Sequence, residues 1–268
     1  MLISIIITTK NEERNIRNCL KSLENQDFPR EEIEVVVVDN DSADRTKEIA
    51  RRYTDKVFNW GPERSAQRNF GAQKTEGNYI LYLDADMILS RDVIKNCVSK
   101  MEGDGELAGL YIPEKIRGRG FWGKVRAFER SFYDGTVIDA VRFVRKNKFL
   151  EVGGFDENFT GPEDWDFDKK IRNAGEVGII ETPLYHNEEE FRLKKYLARK
   201  KYYGRDFEKY IAKWGKDDPD IRKQFGCGYR YFVVFVENGK WKKLLGSPLF
   251  ALGMFFLRGL VGLNYKLQ

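Results

Sequence analysis

The sequence predicts an α/β fold, with a mostly parallel sheet flanked by helices and a helical C-terminal extension. Three observations carry this. Short β-branched runs alternate with helical patterns through the first half. The run Ile33-Glu34-Val35-Val36-Val37-Val38 holds four consecutive valines, which suits a parallel strand covered on both faces. Charge then shifts sharply: residues 1–186 carry 29 basic and 33 acidic residues, whereas residues 187–268 carry 18 basic and 9 acidic, a net of +9.

The elements follow in order. Leu2–Thr8 reads as a buried strand, and a helix capped near Asn11 places Ile16, Cys19, Leu20 and Leu23 on one face. The valine strand comes next. Ser42 or Asp44 can cap a helix reaching about Tyr53. Val57–Trp60 is a third strand, Glu63–Thr75 a helix and Asn78–Leu83 a fourth strand. The remainder is less regular: strands at Leu107–Pro113, Val137–Arg145 and Val177–Glu181, an aromatic helix or loop at Phe121–Phe132, and a helix at Glu163–Asn173. A long basic helix spans about Glu190–Trp214, then a polar break at Gly215–Asp220 and two apolar segments, Tyr229–Val236 and Leu244–Leu263. The expected division is an α/β domain at 1–186 and a helical extension at 187–268. Cys19, Cys97 and Cys227 are scattered, which excludes a cysteine metal cluster and fits a reducing cytoplasm. Leu2–Ile7 is too short for a signal core and lacks a basic lead-in.

In open α/β sheets, ligands bind outside the carboxyl ends of the strands. Three polar clusters fall there: Thr9-Lys10-Asn11-Glu12, Asp39-Asn40-Asp41-Ser42 and Asp84-Ala85-Asp86. Residues i and i+2 of an extended chain point to one side, so Asp84 and Asp86 can approach one Mg²⁺ or Mn²⁺. The competing reading is a pair of turn caps. Asp39 is expected to serve the ligand, leaving Asp41 to Asp44 to cap the next helix. Gly161-Pro162-Glu163-Asp164-Trp165-Asp166 places acids in the first turn of a helix. One of them could be a general base, or all could simply complement the helix dipole. His186 is the single histidine and follows a strand. It is a candidate metal or phosphate ligand, or a structural residue. Arg68 and Asn69 could meet a phosphate or ribose, or lie on a solvated helix face.

Taken together, these residues resemble glycosyltransferase family 2, with its GT-A fold. The resemblance runs in order through Ile5-Ile6-Ile7-Thr8-Thr9-Lys10-Asn11-Glu12-Glu13, Val37-Val38-Asp39-Asn40-Asp41-Ser42 and Arg68-Asn69 with Gly71. It continues through Leu83-Asp84-Ala85-Asp86, Gly153-Gly154-Phe155-Asp156-Glu157, and Glu163-Asp164-Trp165-Asp166 with Arg172 and Gly175. It implies an inverting, hexosyltransferase-like enzyme with a UDP- or GDP-linked sugar donor. Asp39 would read the base, Asp84 and Asp86 would serve nucleotide and metal, and Asp164 would be the catalytic base. The donor-binding set becomes Thr8, Thr9, Asn11, Glu12, Asp39, Asp41, Arg68, Asp84 and Glu163; the metal set becomes Asp84, Asp86 and His186. The Gln-x-x-Arg-Trp of processive members is absent, which implies one sugar per encounter. The acceptor is a glycan or is lipid-linked.

Three other classes fit these residues less well. A nucleotidylyltransferase should open with a Gly-rich loop, which Thr9-Lys10-Asn11-Glu12 lacks. A non-catalytic carbohydrate-binding module has no need of both the Asp84/Asp86 pair and Asp164. No nucleic-acid motif accompanies the basic tail. Leu244–Leu257 is too short to span a bilayer and is preceded by Lys240, Trp241, Lys242 and Lys243. It reads as an interfacial segment at an anionic inner membrane face, or as a helix packed on the core.

Overall fold

The computed structural model describes residues 2–266. In chain order the elements are β1 (Ile3–Thr9), α1 (Ile16–Glu24), β2 (Ile33–Asp39), α2 (Thr46–Ala50), β3 (Val57–Asn59), α3 (Arg64–Gln73), β4 (Tyr79–Asp84), β5 (Met87–Leu89) and α4 (Val93–Gly103). Then come β6 (Leu107–Tyr111), β7 (Glu114–Arg119), α5 (Gly120–Arg130), β8 (Phe143–Arg145), α6 (Lys146–Glu151), α7 (Glu163–Ala174), β9 (Glu176–Ile179) and β10 (Leu184–Glu190). The helices α8 (Leu193–Tyr203), α9 (Phe207–Trp214), α10 (Pro219–Phe225), α11 (Val234–Val236), α12 (Trp241–Gly246) and α13 (Pro248–Lys266) follow. These residues group into two compact units. The first takes the chain up to Pro113, with Ala140–Glu157 and Glu163–Asn187; the second takes Glu114–Asp139, Asn158–Pro162 and the chain from Glu188 onward.

The first unit is built on a seven-stranded sheet in the order β3-β2-β1-β4-β8-β6-β9. The pairs β1–β2, β1–β4, β2–β3 and β6–β9 are parallel, and β8 runs antiparallel to both β4 and β6. Apolar runs without alternation are explained by cover on both faces. Ile3, Ile5 and Ile7 pack with Ile16, Cys19 and Leu20 of α1 and with residues of α2 and α4, while Ile6 packs with Ala72 of α3 and with Phe149, Phe167 and Ile171 of α6 and α7. Each such fully buried aliphatic side chain contributes about 1.5–3 kcal/mol. The chain leaves β1 towards β3 and returns on the other side at β4, so strand order reverses between β1 and β4. That reversal opens a ligand crevice at the strands' carboxyl ends.

Several boundaries differ from expectation. The first helix starts at Ile16, because Asn11 adopts a positive φ of 55° and its side chain accepts from Ala43 N instead of capping. Of Val137–Arg145 only Phe143–Arg145 is strand; Thr136 and Asp139 are tied into turns by bonds to Tyr133 O and Thr136 O. The expected helix from Glu190 to Trp214 is three elements. β10 extends to Glu190, α8 ends at Gly204, and Asp206 starts α9 while its carboxylate accepts from Thr160 N. Glycine and aspartate are poor helix-interior residues, which is why the break falls there. β5, α4, β7, α6, β10 and α10 add six elements to those expected.

The second unit packs α13 against α5 and α8. Its core is Val125, Phe132, Tyr133, Val234, Phe235, Met254 and Leu257. A buried polar network runs through this core: Glu129 accepts from Arg126 Nη1 at 2.5 Å, from Arg258 Nη1 at 2.9 Å and from Tyr133 Oη at 2.7 Å. Among the described residues no helix is long and apolar enough to cross a membrane.

Candidate active site

The three expected clusters meet at the carboxyl edge of the first unit's sheet. Register fixes this: Thr8 lies opposite Asp84, and Thr9 opposite Asp39. The loops after β1 and β2 are laced together. Asn11 N donates to Ser42 Oγ at 2.7 Å, Glu12 N to Thr46 Oγ1 at 2.8 Å and Glu13 N to Asp44 Oδ2 at 3.1 Å. Gln67 of α3 donates to both Thr9 O and Val38 O, tying the two strand ends.

Asp39, expected to serve the ligand, is engaged within its own turn. Its side chain is fully buried, and it accepts from Ser42 N at 2.7 Å and from Ser42 Oγ at 2.5 Å. Asp39 therefore holds the turn itself. Asp41, with φ of 51°, is the exposed member and lies 3.6 Å from Lys47 Nζ. Asp44 Oδ1 accepts from Thr46 N, but the N-cap position of α2 falls to Arg45, whose side chain makes no cap bond. Thr9 Oγ1 is buried and has no hydrogen-bond partner, so the edge carries one unsatisfied polar atom beside this turn.

Asp84 closes β4. Its Oδ1 accepts from Thr8 Oγ1 at 3.0 Å and from Arg68 Nη2 at 3.1 Å, and Arg64 Nη1 lies 3.6 Å from Oδ2. Burial would raise its carboxyl, but Arg68, Arg64, Arg142 and His186 outweigh burial and hold it below the usual carboxylate range. Asp86 faces a different neighbour. β10 pairs antiparallel with β5, setting His186 opposite Met87, and His186 Nε2 comes 3.0 Å from Asp86 Oδ2. The other carboxylate oxygen, Asp86 Oδ1, is buried without a hydrogen-bond partner. Among the described residues no three His, Cys, Asp or Glu side chains group as a complete cation cage. The Asp86–His186 pair with an orphaned oxygen still suits Mg²⁺ or Mn²⁺, which usually take one or two carboxylates and fill the rest of the shell with water and ligand phosphates.

Arg68 joins the two halves of the site. It is 0% exposed, and its guanidinium sits between the rings of Tyr82 and Phe155, 4.7 and 4.8 Å from their centroids. Nη1 donates to Asp164 Oδ1 at 2.6 Å while Nη2 serves Asp84. One turn earlier, Arg64 Nη2 donates to Glu163 Oε1 at 2.7 Å. Burial raises the Glu163 carboxyl against the pull of Arg64. The helix α3 thus holds both acids at the start of α7. The Asn69 side chain brackets Phe155, donating to its O and accepting from its N. Gly154, with φ of +62°, is needed there, because a Cβ would lie 2.5 Å from Asn69 Oδ1.

Residues 4–156 match the family model described as glycosyl transferase family 2. The chain is 32% identical over 129 residues to poly(ribitol-phosphate) β-N-acetylglucosaminyltransferase TarS of Staphylococcus aureus, covering 45% of this chain and 22% of TarS. It is 30% identical over 193 residues to glycosyltransferase AglE of Haloferax volcanii, covering 65% of this chain and 62% of that protein. This chain therefore spans less than two thirds of either relative. The mannosyltransferase PcManGT of Pyrobaculum calidifontis, solved with GDP-Man and Mn²⁺, shares the fold with a TM-score of 0.61 and 20% identity, over 99% of this chain and 79% of that one.

Proposed function

This chain belongs to glycosyltransferase family 2, and on that premise we propose that it is an inverting transferase that moves one sugar from a nucleoside diphosphate sugar to an acceptor hydroxyl or phosphate. The observation that carries this is the Asp84–Arg68–Asp164 cluster, which ties a donor-side carboxylate to a partly exposed carboxylate at the same sheet edge. Asp164 takes the acceptor proton as the acceptor oxygen bonds to the anomeric carbon. The bond to the diphosphate breaks from the opposite face, and the electron pair leaves with the nucleoside diphosphate. Arg68 acts through the carboxylates it orients and is a positioning residue. Asp39 positions the turn that presents Asn40 and Asp41, and Thr9 Oγ1 offers a donor towards the nucleotide.

The metal assignment narrows to Asp86 and His186, with Asp84 turned towards its arginines. A Mg²⁺ or Mn²⁺ ion held there would offset charge on the departing diphosphate. The acceptor is a glycan or lipid-linked molecule, reached in the cytoplasm by an enzyme peripheral at the inner face of the cell membrane. A donor-hydrolysis screen with UDP- and GDP-sugars, with Mn²⁺ or Mg²⁺ and with excess chelator, tests the reading. Turnover of one donor class, lost in chelator, supports it. No turnover of any donor under any condition counts against transfer, and full turnover in chelator removes the metal.

A further inference from the structure

The helix α13 is inside out for a water-facing helix. The stretch Pro248–Leu263 has a single charged residue, Arg258, and that residue is 6% exposed, bound to Glu129 and, at 2.6 Å, to Tyr133 Oη. Met254 and Leu257 are buried beside it. The exposed side carries Leu249, Leu252, Phe256 and Leu263, with Leu252 70% exposed. At about 100° per residue these four fall within an arc of roughly 60°, and no charge interrupts them. Just before this helix, Leu245 and Trp241 are also exposed, as are Phe232, Val233 and Val236 upstream.

A bare apolar face of this size marks a non-aqueous neighbour. The helix does not qualify as a membrane span. A helix lying in the headgroup–acyl boundary needs an apolar face with basic residues at its margin. Lys242 is exposed next to Trp241, and Arg192, Lys194 and Lys195 are exposed at the start of α8, which packs on α13. A two-fold dimer through the same face would bring this basic margin against its own copy, whereas anionic headgroups neutralise it.

We infer that α13, with the turn at α12, is an in-plane membrane anchor whose Leu249–Leu252–Phe256–Leu263 face enters the leaflet of an anionic bilayer. The Arg258–Glu129 pair pins the opposite side of the helix to the second unit, so the anchor sinks halfway and does not cross. This rests in part on the membrane location proposed above. It stands on the second unit alone, so transfer chemistry can fail without it.

The test is flotation of the full chain with vesicles of phosphatidylcholine, with and without phosphatidylglycerol. The wild type should float with the anionic vesicles, release as salt is raised, and show Trp241 emission moving to shorter wavelength. L252E/F256E should bind at least about tenfold more weakly, since two large apolar side chains leave the boundary. L249Q/L263Q on the same face should repeat the loss. Both variants should keep wild-type donor hydrolysis. A wild type that stays unbound on both vesicle types overturns the anchor, as does undiminished binding by both variants. A lipid-free dimer dispersed by L252E/F256E, with no flotation, assigns the face to a second copy instead. Flotation without any donor turnover would keep the anchor and sink the transferase reading.

Discussion

Arg68 donates to Asp164 at 2.6 Å from a position with no exposure to solvent. The same guanidinium reaches Asp84. One arginine thereby sets the spacing between a carboxylate at the end of β4 and one at the start of α7, which are 80 residues apart in sequence.

Removing that arginine should cost both stability and rate. Arg68→Met leaves two carboxylates without their shared buried partner. Breaking a buried pair costs about 3–5 kcal/mol, and the partial exposure of both acids puts the loss near the low end, about 3 kcal/mol. Arg68→Lys keeps the charge but loses the two-pronged geometry, and should fall between. Urea unfolding at pH 7 measures the first effect. Unchanged stability in Arg68→Met would show that the carboxylates find other partners.

Asp164→Asn keeps the shape and removes the proton acceptor. The rate with acceptor should drop by about 10²–10⁴-fold with donor KM nearly unchanged. If KM rises in step with the loss of rate, Asp164 is a donor-binding residue.

The Asp86–His186 pair predicts where a cation is held. Asp86→Ala and His186→Ala should each weaken Mn²⁺ binding in the presence of UDP or GDP by about tenfold or more, read by Mn²⁺ titration and not only by activity. Equal Mn²⁺ affinity in both variants would place the ion elsewhere.

The sequence showed the site's acids more readily than the contacts that arrange them. Asp84 and Asp86 are legible because they close an unbroken apolar strand, and Asp164 because acids follow Gly161-Pro162 at a helix start. Arg64 and Arg68 are not legible in this role. Charges four residues apart on a polar helix read as a solvated face, and only packing against Tyr82 and Phe155 reveals Arg68 as interior. The approach of His186 to Asp86 depends on pairing between β10 and the three-residue β5, which is too short for periodicity to show. The bonds from Ser42 to Asp39 are not legible either, because Ser42 and Asp44 are equally good caps by type. Composition marked α13 as apolar but gave no sign that Arg258 would be the buried side.

A separate prediction concerns pH. Burial lifts Asp168 to about 6, against the opposing pull of Arg172 and the bond from Val141 N. Its folded value lies above its unfolded one, so proton uptake stabilises the fold fully below about pH 4, and this contribution is lost as pH rises through about 6. Asp168→Asn cannot ionise. The stability of wild type relative to the variant should therefore fall by about 2 kcal/mol between pH 4 and pH 7. Parallel urea curves for the two proteins across that range would contradict it.

The proposed reaction is a single in-line displacement at the anomeric carbon, with Asp164 as base and the diphosphate as leaving group. Its most direct test is proton NMR of the first sugar released when the accepted donor is turned over slowly with water as acceptor, read before the anomers equilibrate. The expected product is the anomer opposite to that of the donor, with the signal falling in Asp164→Asn. Release of the anomer with the donor's own configuration would contradict it.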